Sequence, residues 1–159
     1  MASAAPERIR NVAIAGHGGS GKTTLVETLL HLIGATTRLG KVDDGTSILD
    51  TDPEEHKRRI TINMALAEFT HEGTKISLLD TPGFADFAGD QHAALRVVDS
   101  AIVVVDGSAG IQVGTQSVWE ELETAKTPRF IVVTRLDRDN ADFDEILKRI
   151  DLVANDIEM

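Results

Sequence analysis

The 159-residue chain contains no cysteine, which excludes disulfide frameworks, thiolate metal sites and cysteine nucleophiles. Aromatic residues make up only 4% of it against 42% hydrophobic residues, so its core must be aliphatic. Long apolar runs are missing too. The longest, Ala101 to Val105, falls far short of the roughly 20 residues that cross a bilayer, and Met1–Arg10 has no signal-peptide core. Repeats, low-complexity tracts and linkers are absent, and at roughly 100 to 200 residues per domain the length predicts a single domain in a soluble, cytoplasmic protein.

Positive charge is also in short supply. With 16 Lys and Arg against 26 Asp and Glu the formal charge is −10, which excludes a general polyanion binder such as a histone-like basic arm. The deficit is uneven: residues 1–60 are balanced, with eight side chains of each sign, so residues 61–159 carry all of it. An anionic ligand meets least repulsion in the N-terminal third. The acidic stretch from Asp137 to Glu158 reads as a solvated helix face, not as an RNA-binding surface.

Short apolar strands and amphipathic helices alternate along the chain. Ile9–Ala15 reads as a strand running into a glycine-rich turn, and Lys22–Ile33 as a helix with Leu25, Leu29, Leu32 and Ile33 on one face. Ile62, Met64 and Leu66 alternate with smaller or polar residues. After a His71-Glu72-Gly73-Thr74 turn comes Lys75–Asp80, which predicts a hairpin with its first strand at the sheet edge. The aliphatic runs Ala101–Asp106 and Phe130–Thr134 suit strands buried on both faces. Gln116–Lys126 and Ala141–Ala154 carry helical periodicity. The pattern predicts an α/β fold: a mostly parallel, doubly wound sheet with one antiparallel edge strand and helices on both faces. Gly34 to Ile60, 27 residues without a sustained period, reads as a mobile functional loop.

Three motifs carry chemistry. Gly16-His17-Gly18-Gly19-Ser20-Gly21-Lys22-Thr23, followed by Thr24, is a complete G-x-x-x-x-G-K-T between a strand and a helix. In such a loop backbone N–H groups and the helix N-terminus converge on phosphate oxygens. The lysine places a point charge on the β- and γ-phosphates, and the threonine hydroxyl ligates Mg²⁺. Asp80-Thr81-Pro82-Gly83 puts a carboxylate at the tip of the strand expected beside the first one, where it can hold the Mg²⁺ shell, and a bare backbone N–H that can approach a γ-phosphate. Thr134-Arg135-Leu136-Asp137 places a carboxylate after a strand, where it can accept from the N1–H and N2–H₂ edge of guanine.

In order, the phosphate loop, Arg59-Ile60-Thr61-Ile62, Asp80–Gly83, the stretch Val105–Gln112, and Thr134–Asp137 with Arg138 resemble the GTP-binding domain of translational GTPases. The likeness is strongest to elongation factor G and its paralogues and runs from Ile9 to about Ile150. It implies a P-loop NTPase fold that binds GTP or GDP with Mg²⁺ and hydrolyses GTP in step with the ribosome. It further implies that Gly34–Ile60 is the first switch and that Phe84–Val98 holds the second. Lys22, Thr61 and Gly83 would be catalytic. Gly16 to Thr24, Asp80 to Phe84 and Thr134 to Asp137 would bind nucleotide, and Thr23, Thr61 and, through water, Asp80 would hold the metal. The ribosome would be met mainly through other domains, with no membrane or DNA partner and a monomeric fragment.

The sequence departs from that family in four places. Phe84 stands where the family has the histidine that orients the attacking water, so slow intrinsic hydrolysis is expected. Gly19 replaces a common aspartate of the phosphate loop, and Thr134 and Arg135 replace the first two residues of N-K-x-D. No last strand and helix with a Ser-Ala base loop appear before Met159, so residues 1–159 are expected to be a C-terminally truncated domain. Two alternatives stay open: a guanine-nucleotide switch with little hydrolysis that recruits a partner, and a related termination or ribosome-protection GTPase.

Overall fold

A computed structural model describes residues 5–156. Five strands form one sheet in the order β2-β3-β1-β4-β5, with β1 at Ile9–Ala15, β2 at Ala65–His71, β3 at Thr74–Asp80, β4 at Ser100–Asp106 and β5 at Arg129–Thr134. β1 runs parallel to both β3 and β4, β4 runs parallel to β5, and β2 pairs antiparallel with β3. The β2–β3 turn is Glu72-Gly73, with φ values of 47° and 74°, the left-handed pair that suits a two-residue hairpin.

Alternation along the central strands supplies two cores. Ala13, Ala15, Val103 and Val105 face one side, where they meet Val118, Trp119 and Leu122 of α4 (Val113–Thr124) and Ile146 and Ile150 of α5 (Phe143–Asp156). Leu95 of α3 (Ala88–Leu95) joins them. Ile14, Leu78 and Val104 face the other side and pack on Val26 and Leu30 of α1 (Lys22–Leu32). Each fully buried aliphatic side chain of this kind contributes roughly 1.5–3 kcal/mol. The expected α/β sheet with helices on both faces is therefore present.

Two expectations need correction. The periodicity predicts a strand from Ile62, but β2 begins at Ala65. The N–H groups of Ile62 and Asn63 donate instead to Glu55 Oε1, both at 2.9 Å, and that of Met64 donates to Asp90 Oδ2 at 2.9 Å. Gly34–Ile60 is also not structureless: it contains α2, Pro53–Arg58, started by a capping box between Asp52 and Glu55 with Pro53 in the first turn. The helix boundaries differ by smaller amounts, with α4 starting at Val113 and α5 at Phe143.

Because strand order reverses around β1, the carboxyl ends of β1, β3, β4 and β5 open onto one crevice. The three motifs follow β1, β3 and β5, and all three emerge there.

Candidate functional site

The glycine-rich loop leaves β1 with Gly16 at φ 139°, and a Cβ on this residue would strike the Val104 carbonyl oxygen. Only glycine allows that crossing. Lys22 then opens α1 and is 5% exposed; its ammonium donates to the carbonyls of Gly16 and His17, both at 2.9 Å. The loop is thus wrapped round its own lysine. Gly83 reaches it from β3, so close that a Cβ there would lie 2.6 Å from Gly18 N and 2.7 Å from Gly16 O. Gly18, Gly19, Lys22, Thr23, Thr24 and Thr61 line one cavity together with Gly83 and Phe84.

Beneath the cavity lies a chain of oxygen groups. Thr61 Oγ1 donates to Asp50 Oδ1 at 2.9 Å, and since a hydroxyl has one proton, the 2.8 Å contact between Thr23 and Thr61 is a donation from Thr23. Asp80 is fully buried, and among the described residues neither of its carboxylate oxygens has a hydrogen-bond partner. Burial pushes Asp80 up to about 7 despite the Thr23 hydroxyl and the Lys22 ammonium nearby. Burial likewise lowers Lys22 to about 8, against the pull of Asp80. Desolvation also raises the Asp50 carboxyl, opposed by its bond from Thr61. A buried anion with two empty acceptors is costly as it stands and calls for a cation. Apart from the Lys22 ammonium, the side-chain groups gathered there, Thr23, Thr61 and Asp50, offer oxygens, which suits a hard ion such as Mg²⁺. Among the described residues no group of three or more His, Cys, Asp or Glu could hold a metal. Were such an ion bound, Thr23, Thr61 and Asp80 could supply one wall of its site, and a phosphate and water would have to supply the rest.

The loop carrying Thr61 is pinned by two buried glutamates. Glu27 of α1 accepts from Gly40 N (3.2 Å), Ser47 Oγ (2.8 Å) and Ile48 N (2.6 Å). Glu55 accepts from Asp52, Ile62 and Asn63, which sets Thr61 in place.

The chain matches the elongation factor Tu GTP binding domain over residues 7–157. It belongs to this family. It is 39% identical over 142 residues to an elongation factor G-like protein of Mycobacterium tuberculosis (strain CDC 1551 / Oshkosh), a match covering 89% of this chain and 20% of that protein. It is 38% identical over 148 residues to a mitochondrial ribosome-releasing factor 2 of Debaryomyces hansenii, covering 93% of this chain and 17% of that one. A crystal structure of a Thermus thermophilus protein superposes with a TM-score of 0.85 at 43% identity, covering 90% of this chain and 22% of that one. The translation elongation factor SelB of Methanococcus maripaludis, solved with the GTP analogue GppNHp, gives 0.65 at 28% identity over 93% of this chain and 26% of that one. The chain spans about a fifth of the length of the curated relatives it matches.

In this elongation factor Tu-type domain the remaining motif residues are held in different ways. Thr81 is fully buried, and its N–H (3.2 Å) and Oγ1 (2.8 Å) both donate to Ile14 O, so it fastens β3 to β1. Thr134 donates to Ser20 O at 2.7 Å and ties the β5 loop to the phosphate loop. Arg135 lines the cavity and pairs with Asp106. Burial would raise Asp106, but hydrogen bonds from Ser108 and Arg135 hold it at about 2. Leu136 and Asp137 are exposed and lie outside the cavity. The Phe84 ring covers Gly18, where a Cβ would meet three of its carbons at 2.7–2.8 Å. His17 stands on the far side, its ring centroid 6.4 Å from that of Phe84 and its Nδ1 accepting from Gly114 N at 3.3 Å. Asp50, Glu27, Glu55 and Asp106 were not marked as site residues by the sequence. The Asp52-Pro53-Glu54-Glu55 start signal could have revealed Glu55, whereas no local signal marks Glu27.

Proposed function

We propose that this chain is the nucleotide-binding part of an elongation-factor-G-like translational GTPase, which binds GTP and GDP with Mg²⁺ and hydrolyses GTP in connection with the ribosome. The observation that carries this reading is the buried pair of Lys22, wrapped by the phosphate loop, and Asp80, with two unpartnered oxygens beside Thr23. Lys22 and the loop N–H groups hold the β- and γ-phosphates. Thr61 moves with its loop and reads the γ-phosphate, and the Gly83 N–H faces the same group. Thr23 and Thr61 would hold Mg²⁺ directly and Asp80 through water. The ion supplies charge neutralisation on the phosphate oxygens. Thr134 fixes the guanine loop on Ser20, and Asp137 selects the base. Whole-protein behaviour, including ribosome contact, a cytoplasmic location and a monomeric state, belongs to the same proposal. Among the described residues no helix is long and apolar enough to cross a membrane.

Phe84 favours a second reading, a switch that hydrolyses little and acts by partner recruitment. A phenyl ring accepts no proton and orients no water. Titration with GTP, GDP and ATP, with and without Mg²⁺, followed by single-turnover hydrolysis on the same sample, tests both. The expected result is Mg²⁺-dependent GTP binding, tighter than ATP, with slow turnover in the absence of a partner. Equal binding of ATP and GTP would sink the role of Asp137, and fast turnover would remove the second reading.

A further inference from the structure

Four non-glycine residues among those described have left-handed backbones: Arg59, Glu72, Lys126 and Arg135. Glu72 makes the hairpin turn and Lys126 follows α4, whereas Arg59 and Arg135 line the phosphate-loop cavity. Arg135 is accounted for by its ion pair with Asp106. Arg59 has no such account. It ends α2 at φ 58°, with its N–H bonded to Glu55 O at 2.8 Å, a place glycine would fill at lower conformational cost. In a chain of net charge −10, its guanidinium forms no ion pair among the described residues. Its one side-chain hydrogen bond among the described residues runs from Nη1 to Val42 O at 3.3 Å, its guanidinium lies against Gly45, and Val42 and Asp43 line the same cavity without Asp43 forming an ion pair to it. A left-handed arginine at the wall of the phosphate-loop cavity, where glycine would sit with less strain, is an outlier that points to a functional position.

We propose that Arg59 is a phosphate-facing cation supplied by the chain itself, which stabilises the charge that develops as the γ-phosphoryl group passes to water. This rests on the nucleotide reading above. In that reaction a bond forms between the water oxygen and the γ-phosphorus while the bond from the γ-phosphorus to the β–γ bridging oxygen breaks. The water's proton passes to a phosphate oxygen, and GDP and inorganic phosphate leave. Negative charge grows on the bridging oxygen, and a guanidinium fork matches phosphate oxygens better than a point charge does. With Phe84 unable to orient water, charge stabilisation is the contribution left to the protein. Because Arg59 sits one residue before Ile60 and two before Thr61, it enters and leaves with the loop that reads the γ-phosphate.

The test compares Arg59→Ala, Arg59→Lys and Arg59→Gly in the 159-residue chain by GDP affinity, single-turnover GTP hydrolysis and capture of GDP with aluminium fluoride. Arg59→Ala is expected to leave GDP affinity within about twofold, lower the hydrolysis rate about 10- to 100-fold and abolish aluminium fluoride capture. Arg59→Lys is expected to recover part of both. Arg59→Gly should lose as much rate as Arg59→Ala yet melt about 2–4 °C higher, because its backbone strain is gone. An unchanged rate and unchanged capture in Arg59→Ala would overturn the proposal, as would an equal loss of GDP and GTP affinity with no loss of rate. Failure of the wild-type chain to bind GDP would overturn the nucleotide reading beneath it, and this would be visible before any variant is made.

Discussion

The crevice has two ends built in different ways. At the β1–β3 end, Lys22 is locked by two carbonyls, Thr23 and Thr61 are bonded in series to Asp50, and the loop above them hangs on Glu27 and Glu55. At the β4–β5 end the loop is pinned on both sides, by Arg135 to Asp106, Arg138 to Ser108 (3.2 Å) and Asn140 to the Ser108 carbonyl (3.2 Å). Its apex, Leu136 and Asp137, is exposed. In the proposed function Lys22 and the phosphate loop are held in place already and lose little entropy when a ligand binds, whereas Thr61 moves with its loop and the Asp137 side chain is held by no bond among the described residues. Affinity should therefore come from the phosphate end and selection from the base end.

The largest expected effect follows from removing the wrapped cation. Lys22→Ala deletes two or more charge-assisted contacts to phosphate, each worth roughly 1.5–3 kcal/mol, so GTP affinity should fall by about 10² to 10⁴. Isothermal titration checks this. A loss below tenfold would show that the phosphate end is not where affinity resides.

The same pair sets a pH dependence of the ligand-free fold. Asp80 has a folded value of about 7 against an ordinary 3.8, so between those values the folded state holds more protons than the unfolded one, and stability falls as pH rises. Lys22 has a folded value of about 8 against 10.5, so across that interval the folded state holds fewer protons, and stability rises with pH. The contribution of the pair therefore passes through a minimum between about 7 and 8. Each pKa unit is about 1.4 kcal/mol, and the acid limb should amount to a few kcal/mol. Asp80→Asn should flatten that limb in urea titrations run from pH 4 to 8. If the slope persists in the variant, burial of Asp80 is not its source.

The two ends also differed in how much the sequence exposed. The backbone of the glycine-rich loop was legible because contiguous residues, Gly16 to Thr23 between a strand and a helix, admit few other structures. The sheet was legible for a similar reason, since aliphatic runs such as Ala101–Val105 suit only a doubly covered strand. What escaped was long-range side-chain bonding. Nothing local at Glu27 announces four donors from residues 13 to 22 positions away. The shortened start of β2 likewise depends on Glu55 and Asp90 taking the N–H groups of Ile62, Asn63 and Met64. Periodicity reports which face is apolar, not where a backbone donor goes.

Asp137 gives the smallest and most discriminating effect. Its side chain has no hydrogen-bond or ion-pair partner among the described residues, so both its oxygens are available to a base. A carboxylate accepting from guanine N1–H and N2–H₂ makes two bonds. At an exposed apex these lie at the weak end of the range for charged acceptors, so Asp137→Ala should lower GTP affinity by about 10- to 100-fold while leaving ATP affinity unchanged. Inosine triphosphate lacks the N2 amino group and can make only one of the two bonds. The wild-type chain should bind it about tenfold less tightly than GTP, and Asp137→Ala should bind the two alike. Competition binding of GTP, inosine triphosphate and ATP gives all three ratios at once. If Asp137→Ala loses as much GTP affinity as Lys22→Ala, the division between an affinity end and a selection end fails. If it loses none, the base is read by another group at the β4–β5 end, of which Arg135 lines the cavity.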